Sequence, residues 1–305
     1  MARDLEALCA SPGPVARDHL GLRSVEPSEF RRASHAVWEA MAPGWEERHG
    51  WFEAAARPVT ERMLQALRVR PGETILELAA GTGVVGFTAL AALGGDTRLI
   101  VSDFATAMVE AARRQGAALG FEHVEYRVLD AEALELPDES VNGVLCRWGY
   151  MLLADPARAL AETRRVLRDG GHVSCAVFAG PGKNPWAALP MSVLVDSGHL
   201  PPPEPGQPGI LALADAARLR QLFTDAGLAD PGIEEVPFVF PFGGEDDYWR
   251  FLTGVAGAIS MTLGRLDDEA RTDVRANLAT RLEPYRAPDG LRLPAVSLVA
   301  AAPRS

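Results

Sequence analysis

The stretch that decides the fold is Glu77-Leu78-Ala79-Ala80-Gly81-Thr82-Gly83-Val84-Val85-Gly86. It continues the apolar run 74–78, which predicts a buried strand, and it leads into a helical pattern over 84–93. Glycines at such a junction let a strand turn sharply into a helix and let a ligand approach the backbone closely. Gly81, Gly83 and Gly86 also satisfy a dinucleotide-binding fingerprint, and they are compatible with a turn that has only a structural role.

Outward from this loop, short β-rich runs alternate with helical patterns, which is typical of parallel strands joined by crossover helices. The Asp155-Pro156 pair predicts an N-cap followed by proline at the first helical position. Two later β-runs predict antiparallel pairing at a sheet edge. The predicted strands are 74–78, 98–103, 124–129, 141–147, 172–178, 233–240 and 295–302; the predicted helices are 84–93, 105–119, 155–167, 213–226, 248–263 and 268–285.

These patterns predict an α/β protein: a Rossmann-like, doubly wound, seven-stranded sheet, mostly parallel with an antiparallel C-terminal edge strand. Residues 1–27 are expected to be a flexible leader, 28–70 an N-terminal helical lid, and 71–305 the core, with inserts at about 180–210 and a helical one at 244–290. In the lid, Pro43-Gly44 and Pro58 are predicted to separate three helical stretches. The proline-rich segment 179–210 predicts no regular structure.

Composition excludes several classes of protein. The net charge of −11 comes without a basic block, which disfavours a nucleic-acid substrate. The three cysteines show neither metal-ligand nor redox spacing, and they indicate free thiols in a reducing cytoplasm. No signal peptide, membrane span or metal site is predicted. The expected partner is a small molecule, and a homodimer is compatible with the sequence.

Two acidic positions follow predicted strands on the same edge as the glycine loop. Asp103 ends the second strand, where a carboxylate can accept hydrogen bonds from both ribose hydroxyls of an adenosine. Asp130-Ala131 ends the third, where the carboxylate can accept from an adenine amino group and the next amide can meet the ring. The alternative role of each aspartate is to cap the following helix or turn. Because ligands of open α/β sheets bind at this edge, the three features together favour a nucleotide-like ligand.

Together with Arg165-Val-Leu-Arg-Asp-Gly-Gly171, these features resemble the class I S-adenosylmethionine-dependent methyltransferases, and most of all the ubiquinone and menaquinone C-methyltransferase type, methyltransferase type 11. The segments Trp38–Trp45 and Cys146–Met151 are similar to that family's lid and to its stretch after the fourth strand. Ala79 departs from the glycine of many members. The resemblance implies S-adenosyl-L-methionine as cofactor, with these contacts: Glu77, Ala79, Gly81, Thr82 and Gly83 at its amino-acid end, Asp103 at the ribose, Phe104 and Met108 at the adenine face, Asp130 and Ala131 at the adenine edge, and Trp45 and Arg147 nearby.

Methyl transfer is an in-line displacement, which depends mainly on positioning and on exclusion of water, so no fixed set of catalytic side chains is required. Candidates for a general base are Tyr150 after the fourth strand, His49 in the lid (with His35 as another lid histidine) and His199 in the proline-rich insert. Each is also compatible with a purely structural role. His172, at the opposite edge of the sheet, is excluded.

Aromatic residues favour a lipophilic or aromatic acceptor. Trp38 and Trp45 could cover a sulfonium cation with their ring faces, whereas Trp51 is expected to be lid core. Trp186 and Met191, with Phe238, Phe240 and Phe242, suggest an apolar acceptor pocket, although such aromatic runs also form cores.

The leading hypothesis is methyl transfer from S-adenosylmethionine to a small acceptor through an oxygen, nitrogen or carbon atom. One alternative is a nicotinamide-dependent oxidoreductase, which the glycine fingerprint and Asp103 would suit but which leaves Asp130-Ala131 and the lid without a role. The other is a protein that binds S-adenosylmethionine without methylating anything.

Overall fold

The computed structural model describes residues 27–94, 96–204 and 206–304, so nearly all of the predicted leader lies outside the described residues. Two helices come first, α1 (Pro27–Glu47) and α2 (His49–Leu67). Strands and helices then alternate in this order: β1 (Thr74–Glu77), α3 (Val84–Leu93), β2 (Arg98–Asp103), α4 (Thr106–Ala118), β3 (Val124–Val128), β4 (Val141–Arg147), α5 (Pro156–Val166) and β5 (Leu167–Phe178). The remainder comprises α6 (Pro185–Asp196), α7 (Ala216–Asp225), β6 (Gly232–Phe242), α8 (Glu245–Gly254), α9 (Ala258–Arg265), α10 (Asp268–Leu282), β7 (Arg286–Ala287) and β8 (Gly290–Pro303).

One sheet organises these elements, with the strand order β3-β2-β1-β4-β5-β8-β6, and the two-residue strand β7 pairs with β8 beside this path. Strands β1 to β5 are parallel, and β8 is antiparallel to both β5 and β6. The predicted fold class is confirmed, with one refinement: the edge strand is β6, and the C-terminal strand β8 lies inside the sheet. Because the strand order reverses between β1 and β4, the carboxyl ends of β1, β2 and β4 border one crevice.

The N-terminal helices run through both prolines that were expected to interrupt them. Pro43 lies inside α1 and Pro58 inside α2, and the break falls at Arg48. Gly44 has a packing role, since a Cβ there would lie 3.0 Å from the carbonyl oxygen of Gly254. The apolar packing of these helices outweighs the hydrogen bond that each proline removes.

Helix α2 belongs to the core as much as to a lid. Its residues Ala56, Val59 and Met63 are fully buried, and the helix packs against β5, β6 and β8. Helix α1 instead packs across α4, beside the crevice. Residues 28–70, predicted as a lid, therefore form two helices with different surroundings.

The prediction of no regular structure in 179–210 is wrong, because α6 occupies part of that segment. Asn184 fixes the start of the helix: its Nδ2 donates to the carbonyl oxygen of Ala179 at 2.9 Å, and its Oδ1 accepts from the N–H of Val296 at 3.1 Å. Burial of Trp186 and its neighbours stabilises a helix that the proline content argued against. No helix among the described residues is long and apolar enough to span a membrane.

Candidate cofactor and active site

The loop after β1 depends on left-handed backbone conformations. Ala79, Gly81 and Gly83 have φ angles of 48°, 54° and 79°. At Gly81 a Cβ would meet no atom within 4 Å, so the backbone borders open space there. Ala79 adopts a backbone conformation that favours glycine, at a cost on the order of 1 kcal/mol. The loop therefore presents bare backbone to the crevice.

Glu77 braces this loop from below. Its buried carboxylate accepts a hydrogen bond from the N–H of Gly86 at 2.9 Å, and a Cβ at Gly86 would overlap its Oε2 atom. Burial raises the pKa of Glu77 to about 7, against the lowering effect of that hydrogen bond and of the Arg147 charge. Gly86 thus has a structural explanation, which weakens its value as a dinucleotide signature.

Asp103 joins the ends of β1 and β2. One carboxylate oxygen accepts from the N–H of Gly81 at 2.9 Å and the other from the N–H of Ala105 at 3.0 Å. The carboxylate therefore has the capping contact at Ala105 and also lies beside the glycine loop. Burial raises its pKa, opposed by these backbone hydrogen bonds. A carboxylate has about four lone-pair sites, so these backbone contacts do not use all of its capacity to accept hydrogen bonds.

The segment after β3 is organised by a residue that the sequence did not single out. Asp130 is exposed, and its side chain accepts from the N–H of Glu132 at 2.8 Å, while Ala131 is buried. Glu132 is only 2% exposed, pairs with Arg31 of α1, and accepts from the N–H of Asp155 at 3.1 Å. The Arg31–Glu132 pair therefore ties α1 to the end of β3.

A second tie holds α1 over the start of α4. The Glu39 carboxylate accepts from the N–H groups of Thr106 and Ala107, at 2.5 and 3.1 Å, and so caps α4 from another helix. This capping was also missed, because the partners are 67 and 68 positions apart in the chain. Together the two ties close α1 over the segment that follows Asp103.

Apolar contacts lie beneath α1. Ala42, Ala105 and Met108 form a buried cluster, against which Trp38, Trp45 and Phe104 pack. Trp45 stacks on Phe52 with ring centroids 4.1 Å apart and an interplanar angle of 3°. Its indole N–H is buried and has no hydrogen-bond partner among the described residues. A buried donor without a partner is costly, so this one is suited to a ligand acceptor.

One face of α2 also reaches the crevice. His49, Glu53, Ala56 and Thr60 recur at helical spacing. The Nδ1 atom of His49 lies 2.9 Å from the hydroxyl of Thr82 in the glycine loop. Burial lowers the pKa of His49, with an opposing effect of Glu53. Arg147, at the end of β4, donates to the hydroxyl of Thr60 at 2.9 Å.

The other two candidate bases lie elsewhere. Tyr150 is fully buried, and its hydroxyl is 2.6 Å from that of Thr163 on α5. Burial raises its pKa well above 10, which is the opposite of what a general base needs. His199 is half-buried just beyond α6, where its backbone N–H donates to the carbonyl oxygen of Leu194. Among the described residues neither forms a hydrogen bond to the glycine loop, whereas His49 does.

The aromatic residues of the suggested acceptor pocket pack on one another. Trp186, Phe238, Phe240 and Phe242 are at most 7% exposed, and the centroids of Trp186 and Phe240 are 5.1 Å apart. Trp51 contacts the same group and donates to the carbonyl oxygen of Pro241 at 2.7 Å, which confirms its expected role in the core. These side chains form the wall behind α2 rather than the lining of an open pocket.

Comparison with known proteins bears on the fold and the site. Residues 75–171 match the family model described as a methyltransferase domain. The chain is 32% identical over 161 residues to a ubiquinone/menaquinone biosynthesis C-methyltransferase of Acidiphilium cryptum, an alignment that covers 52% of this chain and 64% of that relative. Less than two thirds of that relative's length is thus represented.

Two solved structures share the fold. A candidate methyltransferase of Bacillus halodurans superposes with a TM-score of 0.53 at 18% identity, covering 80% of this chain and 98% of the other. A phosphoethanolamine N-methyltransferase of Haemonchus contortus, solved with S-adenosylhomocysteine, gives a TM-score of 0.53 at 14% identity, covering 92% and 60%.

The matched segment contains the glycine loop, Asp103, Asp130 and β4, which are the parts that border the crevice. Residues 75–171 therefore form a methyltransferase domain, in agreement with the predicted class I S-adenosylmethionine-dependent methyltransferase and its predicted cofactor, S-adenosylmethionine. The residues present fit that molecule: Gly81 leaves open space beside the backbone, and the Trp45 N–H offers an unused donor under α1.

Proposed function

We propose that the protein transfers a methyl group from S-adenosylmethionine to a small-molecule acceptor by in-line displacement. One observation carries the proposal: the Asp103 carboxylate and the bare backbone of Gly81 meet at the ends of β2 and β1, directly beside the helix that covers them. A pocket of this kind suits an adenosine with an amino-acid extension.

The proposed contacts follow the strand ends. Glu77, Ala79, Gly81, Thr82 and Gly83 border the amino-acid end of the cofactor. Asp103 accepts from the ribose with its remaining hydrogen-bonding capacity, and Phe104 and Met108 contact the adenine face beneath Trp45. Asp130 and the N–H of Ala131 meet the adenine edge. Support comes from the burial of Met108 and Ala131 and from the partnerless N–H of Trp45.

The bound cofactor supplies an electrophilic methyl group on a positively charged sulfur. The chain's own residues position the acceptor and exclude water. Helix α1, tied by Arg31 and Glu39, covers the adenosine side, and this closure removes water that would weaken local electrostatic interactions. The positive charge also suits the ring face of Trp45.

His49 is the residue we propose as general base when the acceptor carries an ionisable proton. It lies at the glycine loop, and its lowered pKa keeps the imidazole neutral and able to accept a proton near pH 7. Tyr150 and His199 are assigned packing roles. Replacement of His49 by Gln should lower the rate constant of transfer while leaving S-adenosylhomocysteine affinity within about twofold, and an unchanged rate would remove the base from the proposal.

Two alternative functions can be distinguished from methyl transfer. The nicotinamide alternative is not favoured, because the matched family transfers methyl groups and Gly86 serves Glu77. A protein that binds without methylating would bind S-adenosylmethionine and yield no methylated product. The deciding experiment incubates the protein with trideuteromethyl-labelled S-adenosylmethionine and cell extract and searches by mass spectrometry for labelled metabolites. Labelled product above a Gly81→Val control supports transfer, and cofactor binding without any labelled product contradicts it.

A further inference from the structure

Arg147 is a cation without an anionic partner among the described residues. It ends β4 and is partly buried, and its guanidinium carbon lies 4.8 Å from the ring centroid of Trp148. A guanidinium has five N–H donors. Within the described part of the chain, the hydroxyl of Thr60 is its one hydrogen-bond partner, and no carboxylate is within ion-pairing distance. Most of its donors are therefore free.

Some other arginines of the protein are paired more completely than Arg147. Arg114 forms a two-point contact with Glu46, and Arg165 contacts both Glu162 and Asp138. Burial lowers the pKa of Arg147 to about 10, although the nearby charges of Glu77 and Glu53 favour its charged form. A partly buried guanidinium in this situation gains most from an oxyanion that it can bind through two N–H groups.

Arg147 lies at the end of β4, close to the end of β1 and the glycine loop. Strand β4 pairs with β1, and the N–H of Leu78 donates to the carbonyl oxygen of Leu145 at 2.8 Å. The chain after β4 lies so close to the glycine loop that a Cβ at Gly149 would be 2.6 Å from the Cβ of Ala79. A ligand group bound by Arg147 would thus lie beside the amino-acid end of the proposed cofactor site.

We propose that Arg147 and Thr60 form a carboxylate-binding site between α2 and the end of β4. The Thr60 hydroxyl accepts from Arg147, so its own proton is free for a carboxylate oxygen. The identity of the bound carboxylate rests on the proposed methyl-transfer function. Two sources share the chemistry: the methionine carboxylate of S-adenosylmethionine, or an acid group on the acceptor.

The first arm of the test compares S-adenosylmethionine with its decarboxylated analogue, which differs in the carboxylate alone. Calorimetry is carried out on wild type, Arg147→Met and Arg62→Met. Methionine keeps the packing on Trp148, and Arg62, paired with Glu234 on the other side of α2, is the matched control. If the cofactor is the source, wild type and Arg62→Met should prefer S-adenosylmethionine by about 10- to 100-fold, and Arg147→Met should lose that preference.

The second arm uses ligand-observed NMR on two samples, the free protein and its complex with S-adenosylhomocysteine. Each sample is titrated with 4-hydroxybenzoate and, separately, with 4-hydroxybenzamide. A preference for the acid that Arg147→Met abolishes assigns the site to an acidic acceptor. If Arg147→Met alters carboxylate preference in neither arm while its thermal unfolding shows a folded protein, the proposed site is refuted. Absence of S-adenosylmethionine binding in wild type contradicts the proposed function instead, and the benzoate arm on the free protein still decides the carboxylate site.

Discussion

Replacement of Glu77 by Gln probes the buried carboxylate beneath the glycine loop. Its pKa rises from 4.5 to about 7 in the folded protein, with burial as the main cause. Folding therefore favours the protonated form of Glu77. The free-energy cost of burying the ionised carboxylate is absent below pH 4.5 and grows as the pH rises from 4.5 to 7. At about 1.4 kcal/mol per pH unit, the ionised carboxylate costs about 3 kcal/mol above pH 7. Glutamine stays neutral and retains an acceptor for the Gly86 N–H.

The assay is guanidinium unfolding of wild type and Glu77→Gln at a series of pH values from 4.5 to 8, followed by tryptophan fluorescence. The free energy of unfolding of the variant, relative to wild type, should increase by up to about 3 kcal/mol across that range. Glu61→Gln, at an exposed position on α2, is the matched control, and its difference should stay within about 0.5 kcal/mol. A Glu77→Gln difference that is constant with pH, or that falls as pH rises, would refute this account of the loop.

Three further predictions concern cofactor affinity, each measured by calorimetry with S-adenosylhomocysteine. Asp103→Ala should weaken binding by about 1 to 3 kcal/mol through loss of hydrogen bonds to a charged group, with near-ultraviolet circular dichroism as the fold control; unchanged affinity would remove the ribose assignment. Gly81→Val should abolish binding, because the side chain would enter the open space at a φ of 54°, and wild-type affinity would contradict the placement of the loop. Trp45→Phe keeps an aromatic ring on Phe52 and removes only the partnerless N–H, so binding should weaken by about 0.5 to 1.5 kcal/mol; equal affinity would show that the N–H does not face the cofactor.

The parallel core was predictable from sequence because local residue patterns indicate each of its strands and helices. The β-rich run 98–103 predicts a buried strand from its own residues, and Asp155 caps its helix through a contact only three residues away. The wrong predictions at the prolines have the same origin, because they too relied on local sequence. Pro43, Pro58 and those of α6 oppose helix formation locally, and only the burial of these helices against the rest of the chain overrides that preference.

The residues of the candidate site also differ in whether local sequence could predict them. Asp103 and Gly81 were recognisable because their positions at strand ends are set by the order of elements along the chain. Glu39, Glu132 and Thr60 were missed, because each acts on a partner at least 67 positions away. Spacing in the sequence contains no signal for such contacts, which arise only when α1 and α2 pack on the core. Tyr150 shows the converse, since it follows β4 as expected while its hydroxyl bonds to Thr163 on α5.

Calorimetric titration of the purified protein and of its Gly81→Val variant with S-adenosylmethionine and S-adenosylhomocysteine tests directly whether the glycine loop binds the cofactor. We expect one site per chain with a dissociation constant well below about 1 mM for both ligands, and loss of that binding in the variant. Absence of binding to both ligands at millimolar concentration, or equal binding by the variant, would contradict that expectation.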